Sequence, residues 1–565
     1  MPRLISPFWL LSAAAFYALA FLIPNHTPPW LGFHADALAG FIALLLAGGV
    51  AWRSKEKWPI SGAAALVILA LAVVLAQQAL GLIAQLGVAW VNLLYLSGLL
   101  LSILIGQLWE RSHANECADF IFAAALIGAV ISVGMQIQQW LGINLMGKWL
   151  LYAQGRYYAN LSQPNQLASL MMLGLLACAW FYQRNKFPPW LALTSCIILL
   201  FGLSLANSRT SWVTAFLFGA SLLMLRRKTQ TTSFTKPFFA LAIIYICLLF
   251  FTPQIHAWIF EQEKVAPIRS LMDQSRLAIW GMLLQGLMLK PWFGYGWGQV
   301  GHVQFMNGLP ALNVPATLTQ SHNLFLDLLL WNGIPLGAFF IASMGGFFLW
   351  AWMRIKNPAQ LLQIFSIIVL LVHAMLEYPL EYAYFLIPFG LMIGALCQSL
   401  QAKVVIYLPK MIGVGLLLFV AAFYSITIND YFKAERSFYG LRFEQRGIAT
   451  DISPTPPDVV GLTQLRDAIR FARIKPAEQH TQADLLWGES VVQTTPSTLS
   501  MYRLASMYAH AGQKLNAKRW MANAVRMSPP EQCYDLAELW QNEQKAHPNL
   551  AEISWPTCPK LAKTP

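Results

Sequence analysis

Charged residues are few in this 565-residue chain: Asp, Glu, Lys and Arg together make up 11% of it, against roughly a quarter of an ordinary soluble domain. No basic tract interleaved with aromatics is present, so the net charge of +13 does not point to nucleic acid. Most Lys and Arg ahead of the C-terminal tail lie in short loops between apolar runs, which fits attraction to anionic lipid. Metal-ligand patterning is also lacking: His373 and Glu377 are four apart, but no complete motif accompanies them. They read as a hydrogen-bonded pair on one helix face. The glycines of Phe293-Gly294-Tyr295-Gly296-Trp297-Gly298 have no strand-turn-helix context, which leaves a turn after Lys290-Pro291 rather than a nucleotide site. No internal repeat is evident, which weighs against a secondary transporter.

What the chain has is apolar surface: 57% of residues are hydrophobic, with 22 Trp and 34 Phe. Long apolar runs recur, and only helices or closed barrels can span lipid. Barrel strands would be shorter and would alternate. The expected fold is therefore all-α, a polytopic transmembrane helical bundle. Hydropathy places about thirteen spans near 8–23, 35–52, 60–80, 86–108, 118–140, 165–181, 189–206, 211–225, 237–252, 323–353, 359–376, 383–400 and 404–427. Asn332-Gly333-Ile334-Pro335 is expected to break the overlong 323–353 segment. Ala18-Leu19-Ala20 has the shape of a signal-peptidase site, but the apolar run continues past it, so the first span is read as uncleaved.

Arg53, Lys55, Lys57, Arg184, Lys186, Arg226, Arg227, Lys228, Arg354, Lys356 and Lys403 fall on one side, which the positive-inside rule makes cytoplasmic. The N-terminus is then inside and the tail outside. Two domains are expected: 1–427 in the membrane, with a large outer loop at 253–322, and a periplasmic helical domain at 428–565. Leu504, Ala505, Tyr508, Gly512, Ala517, Ala524 and Pro529 have tetratricopeptide spacing. That makes the tail TPR-like, either a cap or a protein-docking surface. Five cysteines (Cys117, Cys178, Cys196, Cys247, Cys397) lie in or beside apolar spans as packing residues. Cys533 and Cys558 stand in the polar tail and are candidates for one disulfide if it is extracytoplasmic.

The outer segments carry Arg156, Arg209, Arg269 and Arg276, against the topological bias. A guanidinium fork suits phosphate oxygens, and Arg209 and Arg276 are the stronger candidates for a pyrophosphate clamp. Gln163 and Asn165, in Ser162-Gln163-Pro164-Asn165, could meet sugar hydroxyls or phosphate, although Pro and Ser there also suit a helix start. His322 is expected to begin a helix, where the neutral imidazole is favoured and can take a hydroxyl proton. Asp327, one turn after Asn323, is placed to supply a buried hydrogen bond.

In this order, Ser162-Gln163-Pro164-Asn165, Asn207-Ser208-Arg209, Ser275-Arg276, Pro291-Trp292-Phe293-Gly294, Ser321-His322-Asn323 and Glu377-Tyr378-Pro379-Leu380-Glu381-Tyr382 resemble the O-antigen ligase superfamily. They are most similar to its PglL-type protein O-oligosaccharyltransferases of Gram-negative bacteria, over about 155–390. The resemblance implies an inverting, metal-independent glycosyl transfer in the periplasm, at the inner membrane, without a cofactor. The implied donor is an oligosaccharide on undecaprenyl pyrophosphate. The implied acceptor is a Ser or Thr of a protein such as a type IV pilin. It carries the essential His to His322, the Gln to Gln163 and the Tyr to Tyr378, with Tyr382 as the alternative. Arg209 and Arg276 take the arginine roles, and Asn165, Asn323 and Glu377 join the substrate-binding set. The rival expectations are a ligase or polymerase with a sugar acceptor, and a lipid-oligosaccharide transporter.

Overall fold

The computed structural model describes residues 6–260, 274–306 and 317–559. Arg269 lies outside them. The first thirteen of the long helices are α1 (Pro7–Ala18), α2 (Phe33–Arg53), α3 (Gly62–Ala79), α4 (Leu86–Ser112), α5 (Glu116–Trp140), α6 (Pro164–Gln183), α7 (Pro189–Ala206), α8 (Arg209–Leu225), α9 (Thr232–Ile259), α10 (Gln274–Leu289), α11 (Leu324–Arg354), α12 (Pro358–Ala374) and α13 (Ala383–Ser399). Then come α14 (Lys410–Glu444), α15 (Thr463–Arg473), α16 (Gln482–Thr494), α17 (Thr498–His510), α18 (Lys514–Met527) and α19 (Pro530–Ala546). Among the described residues, nine helices are long and apolar enough to cross a membrane. α1, α8, α10, α12 and α13 are shorter apolar helices. The chain is a multi-pass membrane protein.

Two expected spans differ at their ends. Residues 58–61 and 404–408 form a small antiparallel pair, β1 and β2, because β-branched and aromatic side chains there favour extended pairing. The helix expected at 404–427 instead starts at Lys410 and continues to Glu444. The expected domain boundary at 427 therefore falls inside one unbroken helix.

Without a hydrophobic drive between helices in lipid, small residues permit the closest packing. α4 and α13 show this: a Cβ on Gly106 would lie 2.2 Å from the Leu391 carbonyl oxygen, and one on Gly394 2.1 Å from that of Ile103. The basic loops gather at one end of the bundle. Lys228 donates to the Met353 carbonyl, Lys410 to those of Trp52 and Ser54, Arg111 pairs with Glu56, and Lys186 with Asp119. α6 and α11 run from the opposite end toward this one.

α11 is broken at Gly333, which has φ 75° and ψ 172°. A broken helix in lipid needs partners for its freed backbone groups, and the turn after α10 supplies them. Tyr295 N–H donates to the Leu330 carbonyl at 2.7 Å, Gly296 N–H to that of Trp331 at 3.1 Å, and Ile334 N–H to that of Pro291 at 2.7 Å. The Trp297 indole donates to Asn332 Oδ1 at 2.8 Å. This aromatic-glycine stretch is thus a backbone clasp on the kink.

The tail helices pack around Trp520, Tyr508 and Trp540, joined by Phe305 from the segment between α10 and α11. Cys533 and Cys558 are disulfide-bonded, with Cα atoms 5.8 Å apart. The tail is fastened to the membrane part at several points. Gly87 N–H donates to Thr463 Oγ1 at 2.9 Å, and Gln85 Nε2 to Ser490 Oγ at 3.5 Å.

Candidate active site

The polar residues singled out in the sequence converge at the starts of three helices. Gln163 is the N-cap residue of α6, Ser208 that of α8 and Asn323 that of α11. A left-handed residue precedes or shapes each entry: Ser162 at φ 57°, Asn207 at φ 44° and His322 at φ 58°. Such conformations cost free energy and concentrate at functional sites. Helix N-termini carry partial positive charge and unsatisfied N–H groups, a favourable setting for an anion.

His322 does not begin α11, contrary to expectation. Asn323 caps that helix, its Oδ1 accepting from Phe325 N–H at 3.0 Å and Leu326 N–H at 3.2 Å, a task imidazole performs poorly. His322 is held one residue outside. Its loop is fixed by Trp280, whose indole donates to the Ser321 carbonyl at 2.8 Å. Asp327 also anchors it, accepting from the buried Ser321 N–H at 3.0 Å.

Glu377 is the hub. Oε2 lies 3.0 Å from His322 Nδ1, and Oε1 accepts from Asn165 Nδ2 at 3.1 Å and from the Arg276 guanidinium. Burial alone would raise this carboxyl. The His322 hydrogen bond and the charge of Arg276 outweigh it and hold Glu377 below its ordinary range. Asn165 in turn accepts from Ser208 Oγ at 2.8 Å, which brings the start of α8, whose first residue is Arg209, to the cluster. With Nδ1 engaged by a carboxylate, the tautomer that leaves a lone pair on Nε2 is favoured. Nε2 has no hydrogen-bond partner among the described residues.

Gln163 Nε2 donates to the Tyr378 hydroxyl at 3.0 Å. The Tyr378 ring lies 5.2 Å from that of His322 and stacks with Tyr382 at 6.2 Å. Burial raises the Tyr378 hydroxyl above its ordinary value despite the Gln163 bond, so it stays a neutral donor. Arg156 Nε donates to the Ala206 carbonyl at 3.2 Å, two residues before Ser208.

The expected His373–Glu377 pair is corrected in its side chains, although Glu377 N–H donates to the His373 carbonyl at 2.9 Å. α12 ends at Ala374, so Glu377 has left the helix, and His373 Nδ1 lies 2.9 Å from Ser169 Oγ. Sequence reasoning also missed Asp36. Its carboxylate accepts from Ala383 N–H and the Tyr95 hydroxyl, each at 2.6 Å, and so anchors the start of α13 next to Tyr382. An acidic residue in the first turn of an apolar helix was the only available sign.

Glu377, Tyr378, Glu381 and Tyr382 also line a cavity of about 1290 Å³. Its walls are apolar along α3, α4, α11 and α13, including Leu66, Ile103, Phe347 and Phe389. At its rim stand Thr319 and Gln320 from the His322 loop and Gln464, Thr494 and Thr495 from the tail. The hub and the cavity meet at Glu377 and Tyr378.

Two family models match the chain. Residues 194–341 match one described as O-Antigen ligase. Residues 362–539 match one described as Virulence factor membrane-bound polymerase, C-terminal. Arg209, Arg276 and His322 fall in the first and Glu377, Tyr378 and Tyr382 in the second. A general O-oligosaccharyltransferase of Acinetobacter baylyi is 26% identical over 95% of this chain and 95% of its own length. A ComP-specific O-oligosaccharyltransferase of the same organism is 33% identical over 45% of this chain and 46% of its own.

Proposed function

We infer the reaction from the premise that the chain is a PglL-type O-oligosaccharyltransferase, and so a glycosyltransferase. It transfers an oligosaccharide en bloc from undecaprenyl pyrophosphate to a Ser or Thr hydroxyl of a periplasmic protein such as a type IV pilin. The observation that carries this reading is the shared carboxylate: Glu377 holds both His322 Nδ1 and the Arg276 guanidinium.

In this mechanism Glu377 orients His322, and Nε2 takes the proton of the acceptor hydroxyl. The hydroxyl oxygen forms a bond to the anomeric carbon as the bond from that carbon to the pyrophosphate oxygen breaks. Attack from the opposite face inverts the centre. Pyrophosphate is already a good leaving group, so the enzyme needs chiefly to place it and neutralise its growing charge. Arg276, Arg209 and the N-termini of α6 and α8 supply that neutralisation. The apolar cavity suits a polyprenyl chain, and its polar rim suits sugar. The basic loops at the opposite end support an inner-membrane protein with this site on the periplasmic face. The tail from about residue 428, read as TPR-like, closes the rim and is the surface for an acceptor protein.

A sugar acceptor is the second reading, favoured by the two family descriptions. Reconstituted protein, a polyprenyl-pyrophosphate glycan and either a pilin or a lipid A core separate the two. The pilin is expected to gain the mass of one glycan. Ligation to the lipid A core alone would replace the protein-acceptor reading.

A further inference from the structure

We propose that Glu381, paired with Gln320 at the rim of the cavity, determines sugar specificity by holding hydroxyl or acetamido groups of the donor's first sugar. The inference rests on the glycosyl-transfer reading and deepens it. Glu381 is exposed toward the cavity and lines it, one turn beyond Tyr378 on the short helix Pro379–Glu381. Its Oε2 accepts from Gln320 Nε2, two residues before His322. Glu381 is therefore tied both to the His322 loop and to the Tyr378–Tyr382 stack. Gln320 Oε1 in turn accepts from Thr319 Oγ1 at 2.6 Å.

An ionised carboxylate would repel a pyrophosphate nearby, whereas a neutral carboxyl offers a sugar both a donor and an acceptor. The apolar walls around Glu381 withdraw its carboxyl from bulk water, and Asp327 on α11 adds like charge. These push Glu381 up to about 8 against the opposing Gln320 bond. The other titratable groups facing it are Tyr95 on α4 and Tyr378 and Tyr382 on its own segment, with Asp36 on α2 behind Tyr95. Its neighbour Glu377 is held ionised. The same short segment thus presents one charged and one neutral carboxyl, a division of roles set by environment.

The test uses the full-length protein in lipid nanodiscs with a synthetic polyprenyl-pyrophosphate-linked N-acetylhexosamine disaccharide. Binding and transfer are measured separately. At pH 7, Glu381→Ala should raise the donor KM by about tenfold or more while leaving the acceptor KM unchanged. Glu381→Gln, which keeps a neutral donor and acceptor, should stay within about threefold of wild type. The carboxyl is neutral below its raised pKa and ionised above it. Wild-type donor affinity should therefore fall as pH rises through about 8, and Glu381→Gln should lack that fall. Wild-type donor affinity in Glu381→Ala would overturn the proposal, as would Glu381→Gln behaving like Glu381→Ala. If wild type binds the probe but transfers nothing, the reaction reading fails, and the binding comparison still decides the role of Glu381.

Discussion

Replacing Glu377 with Gln keeps the shape of the hub and removes its charge. The side chain is 12% exposed and its partner Arg276 19%, so both charges are largely withdrawn from water. Removing one member of such a pair costs roughly 3–5 kcal/mol. Only part of that reaches the reaction. The charge-assisted bond to His322 contributes about 1.5–3 kcal/mol, or about 10- to 150-fold in rate. The Gln amide cannot replace it: with its oxygen toward Asn165 Nδ2 and Arg276, its NH2 faces His322 Nδ1 and selects the tautomer whose proton sits on Nε2. The assay is the initial rate of glycan transfer to acceptor, followed by intact mass, on monodisperse protein whose tail disulfide is intact. Glu377→Gln is expected to lose kcat by that factor. A kcat within twofold of wild type would refute the idea that the carboxylate orients His322.

Two further outcomes test the frame around the site. Cys533→Ser opens a bridge between residues 25 apart; loop entropy gives about 3–4 kcal/mol, so the melting midpoint of the tail should drop, and an unmoved midpoint would contradict its role there. Gly333→Ala would bring a Cβ to 2.3 Å from the Trp292 carbonyl oxygen at a positive φ, with an expected cost above about 2 kcal/mol. The yield of monodisperse protein should fall sharply, and a wild-type yield and melting midpoint would show that the clasp yields easily.

Much of the helical architecture is legible in the apolar runs, because lipid leaves few ways to satisfy a backbone. The break at Gly333 was readable for the same reason, since glycine followed two residues later by proline punctuates any helix. Its repair was not readable: the clasp pairs Pro291–Trp297 with a turn more than thirty residues away, and no local pattern encodes that register. Gln163, Asn165, Arg276, His322 and Tyr378 were picked out by residue type and family resemblance, and they do meet. Their organiser, Glu377, was placed in the substrate-binding set by resemblance and read as the partner of His373, because the helix was carried on past Ala374. Glu381 and Asp36 act through contacts between distant segments, so residue type alone gave no reason to choose them.

The most direct test of the central claim is transfer by His322→Ala. Its loop is held by Trp280, Ser321 and Asp327 rather than by the imidazole, so the variant should fold and bind donor as wild type does. Intact-mass measurement should then find the acceptor unmodified, where wild type adds one complete glycan per site. Transfer at the wild-type rate would remove His322 from the chemistry and contradict the account.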